Sequence, residues 1–208
     1  MSDPENTIVM TLETGPVTIE LRPDLAPNHV ARIKELAREG FYDGVVFHRV
    51  IPGFMAQGGD PTGRGVGGSS KPDLKAEFSR EPHVRGVCSM ARTSDPNSAN
   101  SQFFLMRDTR HTLDLKYTPF GRVISGLDVV RRIKTGEPVA EPQDRMTRVR
   151  LLSDLPEAER PHFEVMRTDG EAFSAYVTGR ANRGGTFFNV PAGGVDLCNV
   201  NVPVRRRP

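Results

Sequence analysis

Phe47-His48-Arg49-Val50-Ile51-Pro52-Gly53-Phe54-Met55-Ala56-Gln57-Gly58-Gly59-Asp60 is the stretch on which the reading of this chain turns. Large apolar residues (Phe47, Ile51, Phe54, Met55) alternate with His48, Arg49 and Gln57, and Pro52-Gly53 and Gly58-Gly59-Asp60 each mark a turn. A core strand has no need of an arginine and a glutamine among its apolar residues. A shallow pocket on a sheet does, because small-ligand sites combine an apolar floor with a few placed donors. Arg49 must either pair with an acid or face a ligand. No acid stands near it in sequence, so a protein partner has to reach it from a distance.

Upstream of this stretch, Ile8, Met10 and Leu12 alternate with Val9, Thr11 and Glu13, and Val17, Ile19 and Leu21 alternate with Thr18 and Glu20. With Thr14-Gly15-Pro16 between them they read as a β-hairpin with one face inward. Pro27 then opens a helix of about three turns, with Val30, Ile33, Leu36 and Ala37 on one face and Gly40 as its C-terminal cap. Downstream, strand-like runs lie at Val45–Val50, Phe54–Gln57, Gly86–Ala91, Gln102–Met106, Phe120–Ile124 and Met146–Leu152. A second short helix is expected around Leu127, Val130 and Ile133, and Lys71–Glu81 is mixed and turn-rich. About eight short strands and two helices suit a mainly β fold, a closed antiparallel barrel capped at its ends. Pro156-Glu157-Ala158-Glu159-Arg160-Pro161 resembles a linker. Beyond it, Phe163–Arg167, Phe173–Val177 and Thr186–Val190 read as weak strands, a β-rich appendage packed on the barrel. The expected division is 1–155 for the barrel and 156–208 for the extension.

The 208 residues are 37% hydrophobic and 26% charged, as in a globular protein able to fold on its own core. A net charge of +2 with acids and bases interspersed argues against nucleic acid, and Arg205-Arg206-Arg207 reads as a solvated tail. No apolar run approaches the ~20 residues that span a membrane, and the polar, acidic N-terminus does not read as a signal peptide. A cytoplasmic monomer with reduced thiols is the expectation. Cys88 reads as a buried strand residue, and without CxxC or a Cys/His cluster no metal or cofactor is expected. Gly63-Arg64-Gly65-Val66-Gly67-Gly68 matches G-x-G-x-x-G, but Pro61-Thr62 precedes it and Lys71-Pro72 follows. That context suits a surface loop with positive φ angles, not a dinucleotide fingerprint. His48 reads as a structural histidine, and the absence of G-x-S-x-G weakens a hydrolase built on it.

Three further blocks follow the opening stretch: Gly86-Val87-Cys88-Ser89-Met90-Ala91-Arg92, Asn100-Ser101-Gln102-Phe103-Phe104 and Pro119-Phe120-Gly121-Arg122-Val123. Together the four blocks resemble, in order and spacing, the cyclophilins, the peptidyl-prolyl cis-trans isomerases, over about Thr7 to Leu155. The resemblance implies the barrel and the acceleration of X–Pro rotation in folding or folded proteins. It places Arg49 as the catalytic residue and Phe54, Met55, Gln57, Ala91, Arg92, Gln102, Phe104, Leu113 and Tyr117 in the substrate site. It implies proline-containing peptides and unfolded or folding proteins as partners. Alone, Phe54, Met55, Phe104 and Leu113 would simply be core candidates. The chain has no tryptophan, and Thr112 stands where eukaryotic members place one. Tyr117 stands in place of a histidine, and Arg92 in place of an asparagine at a position that mainly contributes backbone contacts. With Leu74-Lys75-Ala76-Glu77-Phe78, these departures look like bacterial members and imply weak cyclosporin binding. The alternative function is a module that binds proline segments without turnover, as a chaperone would; Arg49 speaks against it, since docking a proline needs only the apolar floor.

Overall fold

The computed structural model of the protein describes residues 3–161, 163–165, 171–178 and 204–206. Chain contacts divide it into a unit spanning residues 3–160 and a second that takes in the residues from Pro161 onward.

The first unit is mainly β. Strands β1 (Thr7–Leu12) and β2 (Gly15–Leu21) form the expected hairpin, with Ile8, Met10 and Leu12 buried on its inner face. Helix α1 (Pro27–Arg38) follows and buries Val30, Ile33, Leu36 and Ala37. Its N-cap residue, Ala26, offers no side-chain acceptor. Glu77 supplies one from the turn-rich segment, accepting from the amides of Asn28 and His29 and lying 2.6 Å from His29 Nδ1. A carboxylate over a helix N-terminus satisfies orphan donors and complements the helix dipole. The other end closes with Gly40 at φ 69°, its amide bonded to Ala37 O and that of Phe41 to Leu36 O. This paired bonding needs a left-handed residue, which explains the glycine.

Strands β3 (Arg49–Ile51), β4 (Met55–Gly58), β5 (Val87–Met90), β6 (Phe103–Met106), β7 (Pro119–Ser125) and β8 (Met146–Leu151) complete one eight-stranded antiparallel sheet, in the order β3-β4-β6-β5-β7-β2-β1-β8. Helix α2 (Leu127–Arg132) buries Val129 and Val130. The expectation of a closed barrel needs correction. The sheet curls, but its end strands, β3 and β8, are not paired with each other. The expected strand from Val45 shortens for the same reason. Val45–Phe47 meets Asp144–Met146 only through one isolated bridge, Val46 to Arg145, and flanking backbone bonds.

The core has two parts. The larger, inside the curl, joins the inner faces of the strands to α1. The smaller lies on the other face of β4, β5 and β6: Met55, Val87, Phe104 and Met106, with Ile51, Phe54, Val84, Ala91, Leu113 and Tyr117 packed against them. Phe103 and Leu105 therefore face the main core while Phe104 faces the second cluster. Both faces of β5 and β6 are covered, which is why these strands read as continuous apolar runs. Cys88 is fully buried in β5, and burial pushes its thiol pKa up.

In the second unit, β9 (Phe163–Val165) pairs antiparallel with β10 (Val204–Arg206), and α3 runs from Glu171 to Thr178. The strand expected at Phe173–Val177 is thus a helix: two alanines and an acidic first turn favour it over the β-branched and aromatic signal. Thr186–Val190 lies outside the described residues. Among the described residues no helix is long and apolar enough to cross a membrane.

Candidate active site

The smaller apolar cluster opens to solvent as a pocket of about 260 Å³, lined by Arg49, Phe54, Met55, Gln57, Ala91, Arg92, Phe104, Leu113 and Tyr117. Nine of the ten sequence-derived site residues therefore stand together; the tenth, Gln102, is one hydrogen bond away. The sheet does the gathering. Antiparallel pairing sets Arg49 opposite Gln57 and Gln57 opposite Phe104, and Ser89 is also opposite Phe104. Met55 and Phe104 form a dry floor, each 5% exposed or less. Leu113 and Tyr117 come from the turn at His111–Leu113 and the loop after it, where Leu115 adopts φ 60°, unusual for a non-glycine.

The polar side of the pocket is a chain of side chains. Arg49 Nη1 donates to Gln57 Oε1 at 3.3 Å, Gln57 Nε2 to Gln102 Oε1 at 3.0 Å, and Gln102 Nε2 to the Gly67 carbonyl at 2.8 Å. At its other end Arg49 Nε donates to Glu137 Oε1 at 2.5 Å. The distant acid that Arg49 called for is thus Glu137, 88 residues along the chain. Arg49 Nη2 has no protein acceptor among the described residues. Arg92 is committed elsewhere: its guanidinium donates to the carbonyls of Thr93 and Lys116 and lies 4.5 Å over the Tyr117 ring. Tyr117 in turn meets Phe104 edge-on at 5.7 Å. Arg110, not singled out in the sequence, covers Phe54 at 5.1 Å.

A second cavity of about 510 Å³ shares Gln57, Ala91 and Arg92 with the first, takes in Gln102 and continues to the Gly65–Ser69 loop, Asp73, Thr93, Ser98 and Asn100. The glycine-rich loop is no nucleotide fingerprint: Gly63 and Gly65 take positive φ around the fully buried Asp60. One carboxylate oxygen accepts from the amides of Arg64, Gly65 and Val66 and from the Thr62 hydroxyl, and the other from the Thr62 amide. Burial would raise the Asp60 pKa, but these donors overcome it and hold the group at about 2. His48 packs beneath the same loop, 4% exposed, and neither ring nitrogen meets a protein partner. Burial lowers its pKa against the pull of Asp60.

Sequence reading also missed the support under Phe104. Its ring stacks on His83 at 6.3 Å, and His83 bridges Ser89 Oγ at 3.0 Å and Asp114 Oδ1 at 2.9 Å. The order Ser–His–Asp is that of a hydrolytic triad, yet Ser89 and His83 are fully buried, so no substrate carbonyl reaches the hydroxyl. Asp114 also takes His111 Nδ1 at 2.9 Å, which fixes the turn carrying Leu113. Asp114 lies 31 residues from His83, and no local pattern announces the pair.

The family model described as cyclophilin type peptidyl-prolyl cis-trans isomerase/CLD matches residues 7–153. A probable peptidyl-prolyl cis-trans isomerase of Brucella suis biovar 1 (strain 1330) is 57% identical over 146 residues, 65% of this chain and 74% of that protein. Among solved structures, cyclophilin AquaCyp293 from Hirschia baltica is similar with a TM-score of 0.84 and 34% identity, covering 98% of this chain and 91% of that one. A Cryptosporidium parvum cyclophilin type peptidyl-prolyl cis-trans isomerase, determined in the presence of the dipeptide Ala-Pro, is similar with a TM-score of 0.65 and 28% identity, covering 70% of this chain and 98% of that one.

Proposed function

The chain belongs to the cyclophilin-type peptidyl-prolyl cis-trans isomerases, and from that premise we propose that it isomerises X–Pro bonds in the pocket of Phe54, Met55, Phe104 and Leu113, with Arg49 as the catalytic residue. The observation that carries this reading is the placement of an arginine with an uncommitted Nη2 at the rim of a dry pocket large enough for a proline ring.

Amide resonance resists rotation by about 18–20 kcal/mol. X–Pro bonds exchange unaided over roughly 10–100 s. Neither nucleophile nor metal is needed to speed this, only a site that binds the twisted bond better than either planar form. In the twisted state the proline nitrogen is no longer conjugated and accepts a hydrogen bond, which Arg49 Nη2 donates. The apolar floor holds the ring. Gln57 and the backbone at Ala91–Arg92 hold the adjoining peptide groups while the other side turns, and Gln102 orients Gln57. The substrates are proline-containing segments of folding or folded proteins. This activity resides in residues 1–155, with 156–208 as an extension. A protease-coupled or NMR exchange assay on a short X–Pro peptide tests the reading; no acceleration over the spontaneous rate would end it.

No proton moves in this mechanism, and neither guanidinium nor carboxamide groups titrate between about pH 6 and 9. Burial lowers the pKa of both His48 and His83. Both therefore protonate at more acidic pH than an ordinary histidine. Accordingly kcat is expected to stay flat from about pH 6 to 9. A tenfold fall in kcat on acidification, removed by His48→Gln, would give His48 the catalytic role instead.

Thr112 lies exposed at the pocket-side turn and presents neither indole surface nor its N–H. Cyclosporin is expected to bind weakly by calorimetry, and Thr112→Trp to tighten it several-fold. Tight binding by the unaltered protein contradicts this.

A further inference from the structure

Glu137 lies outside the four sequence blocks that carry the resemblance, yet it makes the shortest polar contact of Arg49. The pair is open to water: the Arg49 side chain is 38% exposed and that of Glu137 57%. An ion pair so placed adds little to stability. Its geometry has another consequence. The backbone around Glu137 runs against β3: Val50 and Gly136 exchange both of their backbone hydrogen bonds, at 2.8 and 2.9 Å, and the Val139 amide donates to His48 O at 2.9 Å. Gly136 has no room for a side chain there, because a Cβ would come within 2.7 Å of Pro138 O and Val139 Cα. The backbone on both sides of Glu137 is thus held against the segment that carries Arg49.

A guanidinium is a rigid planar fork. Here Nε is held by Glu137 and Nη1 by Gln57, from opposite ends, and the third nitrogen is left to a ligand. We propose that Glu137 is a positioning residue for the isomerase: it locks the plane of Arg49 so that Nη2 meets the proline nitrogen as the bond twists. The inference rests on the assignment of Arg49 made above. Pre-orienting a donor lowers the cost of reaching the transition state without strengthening ground-state binding, so the effect falls on kcat and not on KM. The carboxylate also offsets the charge of Arg49 at the rim, so a peptide with an acidic residue before proline gains no attraction from it.

The test is steady-state kinetics on an Ala–Pro and a Glu–Pro peptide with Glu137→Ala, Glu137→Gln, Arg49→Ala and the double variant Arg49→Ala/Glu137→Ala. For Ala–Pro, Glu137→Ala is expected to lower kcat about three- to tenfold with KM within about twofold. Glu137→Gln, whose amide oxygen can still accept from Nε, restores most of that loss and lowers KM for Glu–Pro relative to Ala–Pro. In the Arg49→Ala background Glu137→Ala has no further effect, because coupled residues are not additive. The Arg49 Nε–H resonance is expected to exchange more slowly in the unaltered protein than in Glu137→Ala. Unchanged kcat in Glu137→Ala with an impaired Arg49→Ala overturns the positioning role and leaves the isomerase reading intact. An equal loss in both backgrounds overturns it too, since Glu137 would then act elsewhere than through Arg49. Near-normal turnover in Arg49→Ala overturns the assignment on which the inference stands.

Discussion

Arg49→Ala is expected to lower kcat/KM for a short X–Pro peptide by at least about tenfold, equivalent to about 1.4 kcal/mol of transition-state stabilisation. The pocket floor is apolar and fully formed without Arg49, so proline still docks. What is lost, in the proposed mechanism, is the donor to the twisting amide. Arg49→Lys is expected to be poor as well, because an ammonium cannot serve Glu137, Gln57 and a substrate from one plane. The check is kcat and KM by protease-coupled assay alongside thermal unfolding. Near-normal turnover in a folded Arg49→Ala protein would remove Arg49 from the reaction.

The largest effect on stability is expected at Asp60. Asp60→Ala strips the acceptor from four backbone amides and a hydroxyl at a site closed to water. Orphaned donors and lost charge-assisted bonds together cost about 3 kcal/mol or more. For a domain of this size that is a fall in Tm of about 10 °C. Asp60→Asn, which retains one carbonyl oxygen but no charge, should lie between. The acid dependence carries a definite sign. The folded-state pKa of Asp60 is depressed to about 2, so its contribution is complete above the ordinary carboxylate pKa near 4 and is lost as pH falls through about 2. Unfolding followed by circular dichroism from pH 7 to 2 reads both effects. A Tm for Asp60→Ala within about 2 °C of the unaltered protein would show that the loop closes without its central anion.

How far the sequence revealed these features depends on whether each leaves a local trace. The β1–β2 hairpin and α1 were legible because one face of each is buried, so apolar period reports secondary structure directly. The absence of a closing ladder between β3 and β8 was not, since an isolated bridge and a strand pair come from similar apolar runs. In the second unit, Phe173 to Val177 carried a strand-like composition that gave way to its helical neighbours. At the site, Arg49 and Gln57 stood out by their own chemistry, whereas Phe54, Met55, Phe104 and Leu113 were separable from core only through the family resemblance. Glu137, Asp114 and Arg110 left no signal, because each acts on a residue that only the fold brings near.

The pairing of β1 with β8 has a bearing on how the protein is made. The first strand hydrogen-bonds along its length to the last strand of its sheet, with Ile8 opposite Leu151 and Met10 opposite Val149. During synthesis the outer edge of the nascent hairpin therefore stays without its native neighbour until nearly the whole sheet has emerged. Contacts of such sequence separation slow folding, and an unsatisfied edge invites wrong pairing in the interval. The segment after Leu151 is translated when all eight strands already exist, so its synthesis is time during which the sheet can complete itself before the chain is released.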